Sequence, residues 1–181
     1  KFPSVAGPIP AIGHWIHMQA LKVDALSKSF GPRQVVRNVS FSVATGETVA
    51  FLGPNGAGKS TTLRMIAGFL EPDTGDALIN GVSILSDRTK AQLALGYLAE
   101  GAPLYVDLSV RDFLGFLART HGLSSAAAKT AIARVAEDAA ITDVISRRIE
   151  TLSKGYRRRV ALAGSIVHDP PVLILDEPTD G

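Results

Sequence analysis

Residues 53–61 read GPNGAGKST: three glycines, one lysine and two hydroxyl side chains within nine positions. Glycines this dense weaken an ordinary helix or strand, because each loses the most backbone freedom on folding. Gly53, Gly58, Lys59 and Ser60 satisfy the spacing G-x-x-x-x-G-K-[ST] of a P-loop. The flanks agree with that motif. Residues 48–52, TVAFL, are apolar and β-branched in the manner of a buried strand. After the loop, Leu63, Ile66, Ala67 and Leu70 recur at i, i+3, i+4 and i+7, which predicts a helix over residues 58–70.

Strand, glycine loop and helix in that order form a phosphate site. Gly53, Gly56 and Gly58, with Pro54, Asn55 and Ala57 between them, let backbone N–H groups converge on phosphate oxygens, and the helix N-terminus adds its positive end. Lys59 then reaches the β- and γ-phosphates, the Ser60 hydroxyl ligates Mg²⁺, and Thr61 offers a donor near the α-phosphate. A glycine turn capped by a lysine is the plain alternative. The strand–loop–helix setting favours a nucleoside triphosphate.

Such a loop needs a carboxylate at the end of a neighbouring strand to complete the metal site. Residues 172–178, VLILDEP, supply one. Four apolar residues place Asp176 at a strand's carboxyl end, where ligands of open α/β sheets bind. Asp176 is expected to hold Mg²⁺ and Glu177 to polarise an attacking water. A charged turn after a strand is the bland alternative, and the P-loop upstream weighs against it.

The chain has 181 residues, near the size of one domain or one domain with a subdomain. Its 46% hydrophobic and 20% charged content suits a globular core. No cysteine is present, which excludes disulfides and thiolate metal sites, and a net charge of +2 gives no basic field that points to nucleic acid. No apolar run approaches the roughly 18 residues of a membrane span. Residues 1–17, with three prolines and no periodicity, read as a non-native or disordered leader, with Met18 as the natural start. The end at DEPTDG, straight after an apolar strand, reads as a C-terminal truncation that leaves final core elements missing.

Elsewhere, residues 19–30 and 34–44 read as strands, and ALINGVSIL as a hairpin turning at Asn80–Gly81. Residues 95–99 read as another strand. Ser109 and Asp112 resemble a capping box ahead of a helix that Gly122 stops; Ser124 or Ser125 opens the next. Ser153 caps a third helix running to about residue 168, and His168 is expected at a helix end beside its C-terminal dipole. These boundaries divide the chain into 18–99 (N-terminal core with the P-loop), 100–150 (linker loop and helical subdomain) and 151–181 (capped helix and final strand).

GPNGAGKST, LSKGYRRRV and VLILDEPTDG, in this order, resemble the ATP-binding subunit of an ABC transporter over residues 19–181. LSKGY corresponds to the family signature, usually Leu-Ser-Gly-Gly-Gln; Lys154 and Tyr156 depart from it. The resemblance implies an α/β P-loop NTPase core of ABC type with an antiparallel β subdomain and a helical subdomain. It implies binding of ATP with Mg²⁺, hydrolysis, and a head-to-tail dimer in which Ser153 and Gly155 face the nucleotide of a second ATP-binding domain. It carries Phe30 over as the aromatic stacked on adenine. It also carries Glu100 over to the position of the metal-sensing Gln, where a carboxylate can still ligand Mg²⁺. A separate transmembrane permease subunit, a peripheral place on the cytoplasmic face of the inner (cell) membrane, and no nucleic-acid partner follow from the same resemblance. YLAEGAPLY and HDPPVLILDEPTDG look most like the branch serving ABC-2-type exporters, including multidrug and gliding-motility systems.

The alternative is a soluble ABC-type ATPase not coupled to transport. Repair enzymes of that kind insert a long coiled coil between P-loop and signature, whereas only two short amphipathic helices fall between Ser60 and Ser153 here. A P-loop kinase or switch would carry a lid and acceptor site in place of LSKGY. A chain ending where this one does is expected to bind nucleotide weakly and hydrolyse it poorly.

Overall fold

A computed structural model describes residues 19–176. Two long strands, β1 (Gln19–Phe30) and β2 (Arg33–Ala44), pair antiparallel around the turn at residues 31–32. β3 (Thr74–Ile79) adds antiparallel to the other edge of β1, and the short β4 (Val82–Ser83) pairs with β3, giving the order β2-β1-β3-β4. Asn80 and Gly81 both take positive φ, 48° and 78°, as a two-residue hairpin loop of the expected kind requires. A second sheet holds two parallel strands, β5 (Leu95–Leu98) and β6 (Val172–Leu175).

Helices cover these sheets in two groups. α1 (Lys59–Ile66) and the short α2 (Arg88–Leu93) bury Met65, Ile66 and Ala91 against Leu26, Ile79, Leu95 and Ile174. The second core belongs to α3 (Val110–Thr120), α4 (Ser125–Asp138) and α5 (Lys154–Ile166), which enclose Phe113, Leu114, Ile132, Val135, Val160 and Ala163. Each of these three helices starts at a serine whose side chain accepts a backbone N–H: Ser109 from Asp112 at 3.1 Å, Ser124 from Ala127 at 3.3 Å and Ser153 from Tyr156 at 3.4 Å. α5 also packs on β5, and there the approach is close enough to demand glycine. A Cβ at Gly96 would lie 2.4 Å from the Ser165 carbonyl oxygen. Fold and caps thus follow the sequence, and the two sheets with segregated helices are those of an α/β P-loop core with β and helical subdomains.

Three expectations need correction. Residues 48–52 do not form a strand: Val49, Phe51 and Leu52 are exposed, and Phe51 leans on the Phe41 ring with centroids 5.5 Å apart. An apolar run becomes a strand only where a neighbour supplies hydrogen bonds, and no described strand pairs with this one. α1 stops at Ile66 rather than residue 70, because Gly68 turns to φ 72° and the N–H groups of Phe69 and Leu70 both return to the Arg64 carbonyl. α5 ends at Ile166, two residues before His168.

Candidate functional site

The loop 53–58 leads into α1 at Gly58, whose φ of 88° is the left-handed turn that starts the helix. A Cβ there would sit 2.7 Å from the Val35 carbonyl oxygen, so glycine is required on both backbone and packing grounds. The Ala57 N–H donates to the Pro54 carbonyl at 3.1 Å and closes the loop. Lys59 curls over it, its Nζ donating to the carbonyls of Gly53 at 2.7 Å and Pro54 at 3.1 Å. Thr62 is buried, and its hydroxyl donates to the Gly58 carbonyl at 2.9 Å, so the first turn is braced from within.

β6 delivers the carboxylate. The Asp176 N–H donates to the Leu98 carbonyl at 2.9 Å, which extends the β5–β6 ladder by one bond and fixes the side chain at the strand ends. Asp176 is only 4% exposed. Its Oδ1 accepts the Ser60 hydroxyl at 3.1 Å, while its Oδ2 is buried without a partner. A buried carboxylate oxygen left bare is unfavourable unless a cation or donor meets it. Ser60 hydroxyl, Asp176 carboxylate and nearby Glu100 are the hard oxygen donors that Mg²⁺ takes, so the residues fit the metal.

Around this point lies a cavity of about 450 Å³ lined by Phe30, Arg33, Asn55, Lys59, Ser60 and Thr61, with Gly56, Gly58 and Glu100 also on its wall. Phe30, the last residue of β1, is half exposed there. Sequence reasoning named all of these but Arg33, the first residue of β2, which belongs to no motif. Ser153 and Gly155 are not on this wall. Both lie at the start of α5, where the Ser153 side chain caps its own helix and a Cβ at Gly155 would meet nothing within 4 Å. Glu177 lies outside the described residues.

A second, larger cavity of about 810 Å³ opens between α3 and β5, with Phe69, Tyr97, Tyr105, Phe113 and Phe116 on its wall. At its floor His121 stacks on His168, with ring centroids 3.6 Å apart and planes 5° from parallel. His168 is the residue after Val167, the C-cap of α5, so it stands at the helix end as expected and its ring stacks on His121 as well. Its Nε2 meets the Leu95 carbonyl at 3.2 Å; a carbonyl only accepts, so Nε2 carries the proton. Burial first, then the neighbouring imidazole, pushes the His168 pKa down to about 4; burial also lowers that of His121. Burial, followed by the Asp176 charge, raises the Tyr97 phenol.

A glycine loop feeding a helix N-terminus, a lysine over the loop and a serine bonded to a strand-end aspartate define a P-loop nucleotide-binding protein. The sequence profile described as "ABC transporter" matches residues 36–180. The chain belongs to the ABC transporter family. It is 38% identical over 178 residues to the probable multidrug ABC transporter ATP-binding protein YbhF of Escherichia coli, covering 96% of this chain and 31% of that protein. To the linearmycin resistance ATP-binding protein LnrL of Bacillus subtilis it is 37% identical over 161 residues, 89% of this chain and 52% of that one. The chain therefore spans from about a third to about half the length of these relatives. A solved ATP-binding subunit of an ABC transporter superposes with a TM-score of 0.81 at 32% identity, over 88% of this chain and 66% of that one. CbiO1 of Clostridium perfringens, part of the complex CbiONQ, gives 0.78 at 30% identity, over 90% and 67%.

Proposed function

We propose that this chain is the ATP-binding and ATP-hydrolysing subunit of an exporter, working with a second copy or homologue and a separate membrane subunit. The observation that carries the reading is the Ser60–Asp176 hydrogen bond at the mouth of the P-loop, with the bare Asp176 Oδ2 beside it. The names of the relatives, multidrug, linearmycin resistance and Nod factor export, favour export over an uncoupled ATPase.

In this reading Phe30 stacks on the adenine and the N–H groups of residues 53–61 hold the phosphates. Lys59 exchanges its two loop carbonyls for β- and γ-phosphate oxygens, a charge-assisted contact stronger than the ones it leaves. Ser60, Asp176 and Glu100 hold Mg²⁺. When bound, Mg²⁺ neutralises phosphate charge as the terminal bond breaks. Glu177, the next residue after Asp176, orients the attacking water and takes its proton. Ser153 and Gly155, which do not line the chain's own P-loop cavity, face the nucleotide of the partner domain. The divisions 18–99, 100–150 and 151–181 are the core half, the linker with helical subdomain, and the signature helix with the metal-binding strand.

The aromatic cavity between α3 and β5 suits docking of an apolar segment from the membrane subunit. No helix among the described residues is long and apolar enough to cross a membrane. The peripheral place on the cytoplasmic face belongs to the proposal through the chain's likeness to ATP-binding subunits of ABC transporters. Phosphate release with Mg²⁺ and ATP tests the reading in the intact protein. Wild type should turn over ATP, and Glu177→Gln should still bind it while hydrolysing about 10²–10⁴-fold more slowly. Equal turnover by both would remove Glu177 from the role of base.

A further inference from the structure

The tight loop between β1 and β2 presents a cation to the P-loop cavity. Gly31, at φ 58°, and Pro32 make the loop, with glycine first as a hairpin of this length favours. Phe30 and Arg33 flank it as directly opposite partners in the antiparallel register, so their side chains leave the ribbon on the same face. Both line the cavity of about 450 Å³ beside Lys59, Ser60 and Thr61. The Pro32 ring fixes its own φ and stiffens the loop that holds the pair.

From Arg33, β2 runs to the start of α1. Val35 lines the same cavity, and its carbonyl oxygen lies 2.7 Å from where a Gly58 Cβ would stand. At the rise of a strand, Arg33 is only about 7 Å up the chain from that contact. Two neighbouring cations of the hairpin are engaged: Lys28 donates to Asp73 at 2.8 Å and Arg37 to the Gln34 side chain at 3.0 Å. Arg33 is exposed, and its side chain makes no hydrogen bond or ion pair among the described residues. Its guanidinium is a planar fork of donors that matches phosphate oxygens.

The charges of a nucleotide decide what that fork meets. In the reading above, Phe30 takes the base, while Lys59 and Mg²⁺ take the β- and γ-phosphates. The α-phosphate lies between them, with Thr61 and backbone N–H groups but no cation. Arg33 and Lys59 are the two cations on the cavity wall among the described residues. We propose that Arg33 is a further nucleotide-binding residue, whose guanidinium closes on the α-phosphate of the bound nucleotide. The inference rests on the nucleotide reading of Phe30 and residues 53–61. The contact ties the base-stacking hairpin to the phosphate loop through the middle of the ligand. It is indifferent to the base and to the phosphates beyond the first.

The test is titration calorimetry of ADP, ATP and GTP with Mg²⁺ into the intact protein, for wild type, Arg33→Met and Arg33→Lys. The two diastereomers of ADPαS, each with sulfur in place of one α-phosphate oxygen, are the decisive probes. Met keeps the apolar stem and removes the charge, and thermal unfolding checks that each variant is folded. Arg33→Met should weaken all three natural nucleotides by about tenfold, the loss expected for one charge-assisted hydrogen bond. Arg33→Lys should lose less, because it keeps the charge and gives up the fork. The salt dependence of ADP binding should be shallower in Arg33→Met. With ADPαS, the loss should persist for one diastereomer and largely vanish for the other, whose sulfur replaces the oxygen that Arg33 contacts. Wild-type affinity in folded Arg33→Met, a loss confined to adenine nucleotides, or equal losses with ADP and both diastereomers would overturn the inference while leaving the nucleotide reading intact. Failure of wild type to bind ADP or ATP would overturn the nucleotide reading, and this inference with it.

Discussion

The Ser60 hydroxyl donates to Asp176 Oδ1 at 3.1 Å, joining the first turn of α1 to the end of β6 across 116 positions of sequence. The contact holds the glycine loop proposed to bind phosphate and the carboxylate proposed to bind metal in one frame. The remaining oxygen, Oδ2, is buried without a hydrogen-bond partner.

Asp176→Asn keeps the acceptor for Ser60 and puts an amide where Oδ2 stands. Folding should change little, because the hydrogen bond and the volume survive. The Mg²⁺ concentration needed for half-maximal ATP binding should rise at least tenfold, about 1.4 kcal/mol of lost metal binding. Titration with Mg²⁺ at fixed ATP checks this, and an unshifted midpoint would remove Asp176 from the metal site.

Phe30→Ala should weaken ATP binding by about 1–3 kcal/mol, the range for loss of an aromatic stacked on a base. Phe30→Tyr should leave it near wild type. Stacking tolerates any base, so GTP should suffer in parallel. A loss confined to folding, with unchanged affinity in the folded fraction, would make Phe30 a surface residue of the turn.

The histidine stack makes stability depend on mild acid. The folded-state pKa of His168 is held near 4, below its usual value of 6.5, so the unfolded chain binds the proton more readily. Stability is therefore complete above about pH 6.5 and falls progressively toward pH 4. His168→Gln keeps a donor for the Leu95 carbonyl without titrating, and should flatten the unfolding midpoint across that window. An equal slope in wild type and variant would place the acid sensitivity elsewhere.

Much of this arrangement is legible in the sequence because it depends on local chemistry. The three serine caps, the Asn80–Gly81 hairpin and the glycines of the P-loop each state a backbone requirement that only a few residue types meet. What depends on neighbours is not written in local sequence. Residues 48–52 have the composition of a strand but no described strand to pair with. α2 is only six residues long, too short for a periodic face, and holds on through Gln92 Nε2 to the Ala67 carbonyl at 3.0 Å. His121 and His168 are 47 positions apart, and nothing in either neighbourhood announces that their rings meet. The same holds for Arg33 and Lys59, whose common cavity exists only once β2 is laid against the start of α1.

The most direct test of the account is titration calorimetry of ATP into the intact protein, with Mg²⁺ and with Mg²⁺ chelated, for wild type and Lys59→Ala. Lys59 donates to the carbonyls of Gly53 and Pro54, and in the proposed reading it turns to the β- and γ-phosphates when ATP binds. Wild type should show saturable, Mg²⁺-dependent binding, and Lys59→Ala should lose it at the same concentrations while remaining folded. Binding of equal strength in both proteins would contradict the assignment of residues 53–61 as the nucleotide site.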